Sequence, residues 1–287
     1  MRVTDTHVHV YPDEVIANAD EIAKHEPYFK QLIESRVHRW ATVKDVIRAM
    51  DEDGISESWI CGFGFNDMNL CRLCNDYVLE SVQAYPDRLR PLAVVSPLDP
   101  AAEGELVRCA ELGAIGVGEI FPDGQQWDIS DFRQTWKIGA ICHELKLFLL
   151  VHTAEPVGHD YPGKGKVGPK EIIEFCTHHP ELKSIFAHWG GGVWLYEHMP
   201  EIKRILKNAR YDTAASPFLY DSAIYKTAFT AGVAEKLLYG SDFPLLRIKR
   251  YQTETLLSEN KDFLNKLFHL NAKELLDSLN DERESLF

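Results

Sequence analysis

The sequence contains no long run of apolar residues. No stretch approaches the roughly 18 consecutive apolar residues of a membrane span, and the longest runs, Leu92–Val95 and Leu147–Val151, have the length of buried strands. No basic segment followed by an apolar one, the pattern of an export signal, precedes the first predicted strand. The sequence therefore predicts no membrane association and a cytoplasmic location.

Positive charge is also scarce. Lys and Arg number 31 against 44 Asp and Glu, which gives a formal net charge of −13. This acidity repels nucleic-acid phosphates and anionic lipid surfaces, so we expect a small-molecule substrate and no nucleic-acid partner. A homodimer is left open, because the sequence carries no interface signal of its own.

The cysteines lack the spacing of a disulfide framework, and we expect reduced thiols. Cys71 and Cys74 form a C-x-x-C, but they share one face of a predicted helix and no second pair follows, so we assign them no redox or zinc role. The six are Cys61, Cys71, Cys74, Cys109, Cys142 and Cys176.

Eight short apolar segments alternate with amphipathic helical segments, and no linker or low-complexity tract divides the chain. This alternation predicts a single domain, 1–287, with a parallel sheet covered by helices, closed into a (β/α)8 TIM barrel. A doubly wound open sheet is the alternative. The predicted strands are Val3–Val10, Glu57–Gly64, Leu89–Pro97, Ala114–Pro122, Leu145–Ala154, Leu182–Trp189, Arg210–Ala215 and Lys236–Asp242.

Two connecting segments are longer than a strand-to-helix loop requires. Tyr11–Ala41 and Glu155–Gly168 both leave the C-terminal end of a predicted strand, where barrel active sites form, so both are candidate lids. The chain after Tyr251 has a helical pattern to its end.

The first predicted strand carries His7 and His9, which point to the same face because strand side chains alternate. Two buried imidazoles are costly unless their nitrogens are used, either by a metal or by hydrogen bonds within the core. Four further polar residues end other predicted strands, and they raise the metal interpretation well above the alternative. They are Glu119, His152, His188 and Asp242. Nitrogen and oxygen ligands without cysteine suit zinc first, with manganese or iron as alternatives.

At these residues the chain resembles the amidohydrolase superfamily, in the amidohydrolase-related branch that includes aminocarboxymuconate-semialdehyde decarboxylase. The matching pieces are Asp5-Thr6-His7-Val8-His9, His152, Ala187-His188-Trp189-Gly190-Gly191-Gly192, Gly240-Ser241-Asp242-Phe243-Pro244 and Asn271-Ala272-Lys273-Glu274-Leu275-Leu276. The resemblance implies His7, His9, His152 and Asp242 as ligands of one divalent ion. It implies His188 as a catalytic residue or as the ligand of a second ion.

Strand four departs from several of these relatives because it carries Glu119 and no lysine. The carbamylated-lysine bridge of urease-like enzymes is therefore not available. A glutamate at this place is a feature shared with the TatD-type hydrolases, which the chain resembles here and in which this glutamate binds two metals. Glu119 and His188 therefore leave open whether a second ion binds.

The expected function is hydrolysis of a small carbonyl compound, an amide, lactone or ester, by a metal-activated water with Asp242 as the general base. The alternative is metal-dependent decarboxylation of a small unsaturated or aromatic acid, because the ligands alone do not separate the two reactions. TatD-like nuclease activity is disfavoured by the acidic charge. A barrel with a vestigial site is the non-enzymatic alternative.

Substrate contacts are expected from the loops. His159 lies in the glycine-rich loop after strand five, and Trp189 and Trp127 could pack under a planar substrate. Arg247 belongs to a local basic group with Lys249 and Arg250 and could bind a carboxylate through its planar fork. Each of these side chains could equally be a surface or packing residue.

Overall fold

The computed structural model describes residues 1–251 and 260–284. Eight parallel strands follow one another in chain order, each hydrogen-bonded to the next. The ring closes between the last and first strands, where Thr6 N donates to Tyr239 O at 2.9 Å and His9 N donates to Phe243 O at 2.7 Å. The predicted (β/α)8 TIM barrel is confirmed. The strands are β1 Thr4–His9, β2 Glu57–Cys61, β3 Leu89–Ala93, β4 Gly116–Ile120, β5 Phe148–Val151, β6 Ser184–Phe186, β7 Ala209–Asp212 and β8 Leu237–Leu238.

Local capping residues bound the helices that cover the barrel. Thr42 caps the helix Val43–Asp53, where Asp45 accepts from the Thr42 amide, and Gly54 ends it in the left-handed conformation at φ 70°. The α-helices are Asp13–Ala17, Ala19–Ile22, Pro27–Ile33, Val43–Asp53, Met68–Ala84, Ala102–Glu111, Phe132–Glu144, Pro169–His178, Pro200–Ile205, Ser216–Leu219, Ala223–Thr230, Lys261–Asn265 and Asn271–Glu284. Shorter turns are Ala187–Gly190, Val193–His198, Ala234–Lys236, Ile248–Arg250 and the π-helical Lys266–Leu270.

Large aromatic side chains fill the barrel interior. Trp59 of β2 and Phe148 of β5 are fully buried, with ring centroids 5.3 Å apart. Gly116 of β4 makes room for them, because a Cβ there would lie 2.5 Å from the Phe148 ring. The interior is therefore a packed core, which leaves the rim as the place for a site.

The strands are shorter at their C-terminal ends than predicted. His152 directly follows β5, His188 lies two residues beyond β6, and Asp242 lies four residues beyond β8. His188 and Asp242 have φ values of 56° and 61°, a conformation that no strand residue adopts. The backbone therefore turns out of the sheet before it presents these two side chains.

The two long connecting segments meet above the barrel. The first contains three short helices, and Tyr28 O–H on the third donates to Gly163 O of the second at 2.8 Å. The helical pattern expected after Tyr251 is found over Lys261–Glu284, whereas 252–259 and 285–287 lie outside the described residues. No helix in the described part of the chain is long and apolar enough to cross a membrane. All six cysteines are buried free thiols, as expected.

Candidate metal centre

Four imidazoles and two carboxylates converge at one mouth of the barrel, on side chains that are buried or nearly so. Each comes from the C-terminal end of a different strand, except for the pair on β1. The six are His7 and His9 on β1, Glu119 on β4, His152 after β5, His188 after β6 and Asp242 after β8. The structure thus brings together every residue that the sequence analysis placed at the metal.

Glu119 lies at the centre of this cluster. Its Oε2 is 3.3 Å from Nε2 of both His7 and His9. Its Oε1 is 2.9 Å from His152 Nδ1 and 3.5 Å from His188 Nε2. One carboxylate therefore contacts all four imidazoles and joins the two halves of the cluster.

The carboxylate reaches this position because β4 and β5 pack very closely just before it. Gly118 has a φ of 135°, and a Cβ at that position would lie 2.3 Å from Leu150 O. Only glycine allows this close approach without displacing the neighbouring strand. The sequence Gly118-Glu119 thus fixes where the carboxylate emerges.

The donor atoms form two groups, and within each group they lie within 4.8 Å of one another. In the first group Nε2 of His7 and His9 are 3.1 Å apart, and Asp242 Oδ1 is 3.5 Å from His9 Nε2. In the second group His188 Nε2 lies 3.1 Å from His152 Nδ1, beside Glu119. The geometry accommodates one divalent ion or two.

In three of these imidazoles, the ring nitrogen that points away from the other donors lies close to a protein oxygen. His7 Nδ1 is 2.8 Å from Asp212 Oδ2, His188 Nδ1 is 3.2 Å from Ala214 O, and His152 Nε2 is 3.3 Å from Lys164 O. Such partners fix the tautomer and ring orientation of metal-binding histidines. Sequence analysis missed Asp212, although it ends β7 just as the recognised residues end or follow their strands.

The electrostatics of the cluster are those of a cation site. Burial favours the neutral imidazole of His7, but the carboxylates of Glu119 and Asp212 outweigh burial and raise its pKa well above 6.5. Burial likewise opposes ionisation of Glu119, but His7 and His152 hold its pKa well below 4.5. Protons on buried imidazoles thus balance buried carboxylates, and a divalent ion can replace those protons. The nitrogen and oxygen donor set fits zinc, manganese or iron(II).

A cavity of about 390 Å³ opens above the cluster. His9, Glu119, His152, His188 and Asp242 contribute to its lining. Aromatic side chains form much of the rest, and the rings of Phe63 and Phe121 stack with centroids 4.9 Å apart at 23°. Tyr28 tilts against both, and in the described part of the chain Arg39 is the one Lys or Arg side chain in the lining.

Of the four residues expected to contact substrate, His159 lines the cavity together with its neighbours Tyr161 and Gly163. The structure does not bring Arg247 there. Its Nε lies 2.6 Å from Asp53 Oδ2 and its Nη2 lies 2.9 Å from Glu52, so its planar fork is already occupied by carboxylates of the chain.

The two tryptophans also lie outside the cavity lining. Trp189 follows His188, but at a φ of 63° its side chain turns into the core, where Nε1 donates to Ser216 Oγ at 2.6 Å. Trp127 is buried against Phe175 and donates to Gln134 O at 3.2 Å. Both pack beneath the loops. The sequence did not predict that Phe63, Phe121, Tyr28 and Arg39 line the cavity. The first two follow β2 and β4, the other two belong to the segment between β1 and β2, and only the fold brings them together.

Comparison with known proteins agrees with this architecture. The fold is similar to that of 5-carboxyvanillate decarboxylase from Sphingomonas paucimobilis, with a TM-score of 0.75 and 15% identity over 96% of this chain and 99% of that chain. It is also similar to a dihydroxybenzoic acid decarboxylase from Polaromonas sp. JS666, solved with manganese and the inhibitor 2-nitroresorcinol. Here the TM-score is 0.69 and the identity 18%, over 96% of this chain and 97% of that chain. A third similar structure is 4-oxalomesaconate hydratase from Rhodopseudomonas palustris, with a TM-score of 0.66 and 17% identity over 99% of each chain.

The family assignment comes from the sequence match itself. A family model described as amidohydrolase matches residues 4–277, which include all six residues of the cluster. The chain therefore belongs to the amidohydrolase family.

Proposed function

We propose that the protein is a metal-dependent decarboxylase of a small unsaturated or aromatic carboxylic acid. The observation that carries this proposal is the juxtaposition of the metal-ligand cluster with the stacked rings of Phe63 and Phe121 in one cavity of about 390 Å³. Stacked aromatic rings favour a flat, unsaturated substrate. Two of the similar structures are named as decarboxylases of aromatic acids, which supports this alternative over the hydrolysis first expected from the sequence.

The substrate is expected to be an anion. Arg39 lines the cavity, and within the described residues its guanidinium donates to main-chain carbonyl oxygens alone, Arg36 O at 3.1 Å and His38 O at 2.6 Å. It contacts no carboxylate of the protein among the described residues, in contrast to Arg247. A guanidinium without a carboxylate partner is available for a carboxylate of the substrate.

His7, His9 and Asp242, whose donor atoms lie within 4.8 Å of one another, would hold the divalent ion, with His152 as the fourth ligand that the family resemblance implies. Glu119 and His188, which the structure groups with His152, would hold a second ion if one binds. When bound, the ion supplies Lewis acidity that polarises an oxygen of the substrate. Zinc, manganese and iron(II) all suit the donors, and manganese is the metal bound in the similar decarboxylase from Polaromonas.

Asp242 is placed to move the proton that the reaction requires. Its Oδ1 lies at the cluster, and its side chain is 15% exposed toward the cavity that it lines. In decarboxylation the bond between the substrate carbon and its carboxylate breaks, and the electron pair stays on that carbon. Asp242 would take this proton from solvent and deliver it to that carbon as carbon dioxide leaves, which returns Asp242 to the carboxylate form. With Nδ1 held at Ala214 O, an Nε2–H of His188, which also lines the cavity, would donate to an oxygen that gains negative charge when no second ion is bound.

Hydrolysis of a small carbonyl compound is the second candidate, favoured by the match to the amidohydrolase family model. In that reaction Asp242 would accept a proton from the attacking water. The two functions are separated by incubating manganese- or zinc-loaded protein with a panel of hydroxybenzoic and unsaturated acids and a panel of esters, lactones and amides. We expect carbon dioxide release from the acids. New titratable carboxylate without carbon dioxide would support hydrolysis instead.

We propose a small-molecule substrate and no nucleic-acid partner, because the net charge is −13 and an acidic surface repels phosphate backbones. A short-oligonucleotide cleavage assay in magnesium tests this. Whether the protein forms a homodimer is checked by light scattering on the purified chain.

A further inference from the structure

The four imidazoles of the cluster share one arrangement. In each ring one nitrogen faces the other donors and the second nitrogen contacts an acceptor at the edge of the site. For three of them this acceptor is an oxygen: Asp212 Oδ2 for His7, Lys164 O for His152 and Ala214 O for His188. For His9 it is the sulfur of Cys61, 3.5 Å from Nδ1.

We propose that Cys61 is the positioning residue for His9, whose thiol holds the proton of the ring on Nδ1 and so directs the Nε2 lone pair to the metal. This inference rests on the metal centre of the proposed function. Cys61 contacts neither substrate nor ion in this account and acts only through His9.

The proposal assigns a direction to each of the two hydrogen bonds of the thiol. Cys61 Sγ lies 3.6 Å from Val8 O, which has no hydrogen to give, so the S–H donates to that carbonyl. With its own hydrogen engaged, the sulfur can only accept from His9, which places a hydrogen on Nδ1. His9 Nε2 is then the unprotonated nitrogen, and it is the one that lies 3.1 Å from His7 Nε2 and 3.5 Å from Asp242 Oδ1.

The sheet register brings the two residues together. His9 and Cys61 are paired across β1 and β2, and Val10 N donates to Cys61 O at 2.9 Å directly beyond them. The Cys61 side chain is fully buried, so no solvent competes for His9 Nδ1. The pairing is therefore part of the barrel and does not depend on a mobile loop.

A thiol has a different effect from the carboxylate that serves His7. Both fix the orientation of the ring, but a carboxylate partner also makes the imidazole more basic. A neutral thiol orients His9 without adding a further negative charge beside Glu119 and Asp242. We expect its loss to loosen the ring and to lower metal affinity, with the rest of the fold intact.

The test compares manganese affinity in three variants, measured by competition with a chelator, with no substrate present. Cys61→Ala removes the acceptor and is expected to weaken Mn²⁺ binding about tenfold, as for other partners of metal ligands. Cys61→Ser keeps one donor and its acceptor lone pairs and is expected to restore most of that affinity. Cys142→Ala, at an equally buried thiol on the helix Phe132–Glu144, is the matched control and should bind as the wild type does.

Thermal unfolding of the metal-free proteins accompanies these measurements. A packing role would lower the midpoint of Cys61→Ala and Cys142→Ala similarly and would not distinguish serine from alanine at position 61. The proposal is overturned if Cys61→Ala binds Mn²⁺ within twofold of the wild type, or if Cys61→Ser binds as weakly as Cys61→Ala. A wild-type protein that takes up no metal would overturn the metal centre itself, and this proposal with it.

Discussion

His7 Nδ1 lies 2.8 Å from Asp212 Oδ2, in a contact between two side chains that are both fully buried. The other oxygen of Asp212 accepts from the amides of His188 and Ala214, each at 2.9 Å. One carboxylate therefore orients a ligand from β1 and anchors the backbone that carries His188.

Asp212→Asn should weaken Mn²⁺ binding by about 100-fold, the upper end of the range for such partners of metal ligands. The two amides require an acceptor, so the asparagine oxygen will face them and its NH₂ will face His7. His7 must then carry its proton on Nε2, where it blocks the metal. Chelator competition measures the effect, with Asp51→Asn as an exposed control. Unchanged affinity in Asp212→Asn would show that this contact does not set the His7 tautomer.

Asp242→Asn is predicted to keep a bound metal and to lose turnover. The amide oxygen can still approach His9, but the amide can neither accept nor deliver the proton that either candidate reaction moves. Metal content by elemental mass spectrometry and product formation by the panel assay are measured on the same preparation. Full activity in this variant would refute the proton-transfer role.

Glu119→Gln tests the number of ions. His7, His9, His152 and Asp242 remain in this variant, so we expect it to keep about one ion per chain. A wild type that binds two ions should therefore lose half of its metal, and a wild type that binds one should lose none. Elemental analysis gives the ratio, with Glu105→Gln, a buried carboxylate on the helix Ala102–Glu111, as control. Complete loss of metal would make Glu119 a ligand of the first ion.

Arg39→Met is predicted to weaken binding of a carboxylate ligand such as 2-hydroxybenzoate about tenfold, because it removes a charged hydrogen bond worth ~1.5–3 kcal/mol, reduced here by solvent exposure. Metal content should not change. Arg247→Met is the contrasting variant: it breaks the ion pairs with Asp53 and Glu52 and should leave ligand affinity intact. Titration calorimetry on metal-loaded protein distinguishes them. Equal affinities for wild type and Arg39→Met would remove Arg39 from the substrate site.

His179 should make stability depend on pH below neutrality. Burial lowers its pKa to about 4 from 6.5, with a smaller effect of His178 in the same direction, and Nε2 lies 2.8 Å from Thr135 Oγ1. Between these two pKa values the unfolded chain binds a proton that the folded chain does not. The stabilisation is therefore complete above pH 6.5 and is lost as the pH falls toward 4.

The measurement is the urea midpoint of wild type and His179→Gln between pH 4 and 7.5. The wild type should lose more stability than the variant across this window. Parallel pH profiles would contradict the assignment. His198→Gln, at an exposed histidine that does not contribute to the His179 pKa shift, serves as the control.

The barrel could be predicted because the apolar segments and helix caps are local signals. Thr42 and Gly54, for example, are residue types that mark helix ends in a sequence, and they bound the helix Val43–Asp53. The C-terminal ends of the strands could not be predicted from the sequence. His188 and Asp242 follow apolar runs, but their φ values are positive and end the strands before them. That conformation is set by the packing at the rim, which no local pattern encodes.

The convergence of the six candidate ligands was equally predictable, because each follows or ends an apolar strand and a barrel aligns those ends. The residues that line the substrate cavity were not predictable in this way. Arg247 and Trp189 lie near the ligands in sequence, but the first pairs with Asp53 and the second turns into the core. Phe121, two residues after Glu119, does line the cavity, and Arg39 reaches it from the long segment between β1 and β2. Proximity along the chain is a poor guide where the loops decide which side chains meet.

Both candidate reactions require a divalent ion at the cluster of His7, His9, Glu119, His152, His188 and Asp242. Anomalous diffraction from crystals grown with Mn²⁺ tests for that ion most directly. We predict a peak at ~2.0–2.3 Å, an ordinary metal–nitrogen distance, from Nε2 of His7 and His9. An anomalous map with no peak at these nitrogens, or with its peak outside the barrel mouth, would contradict the account.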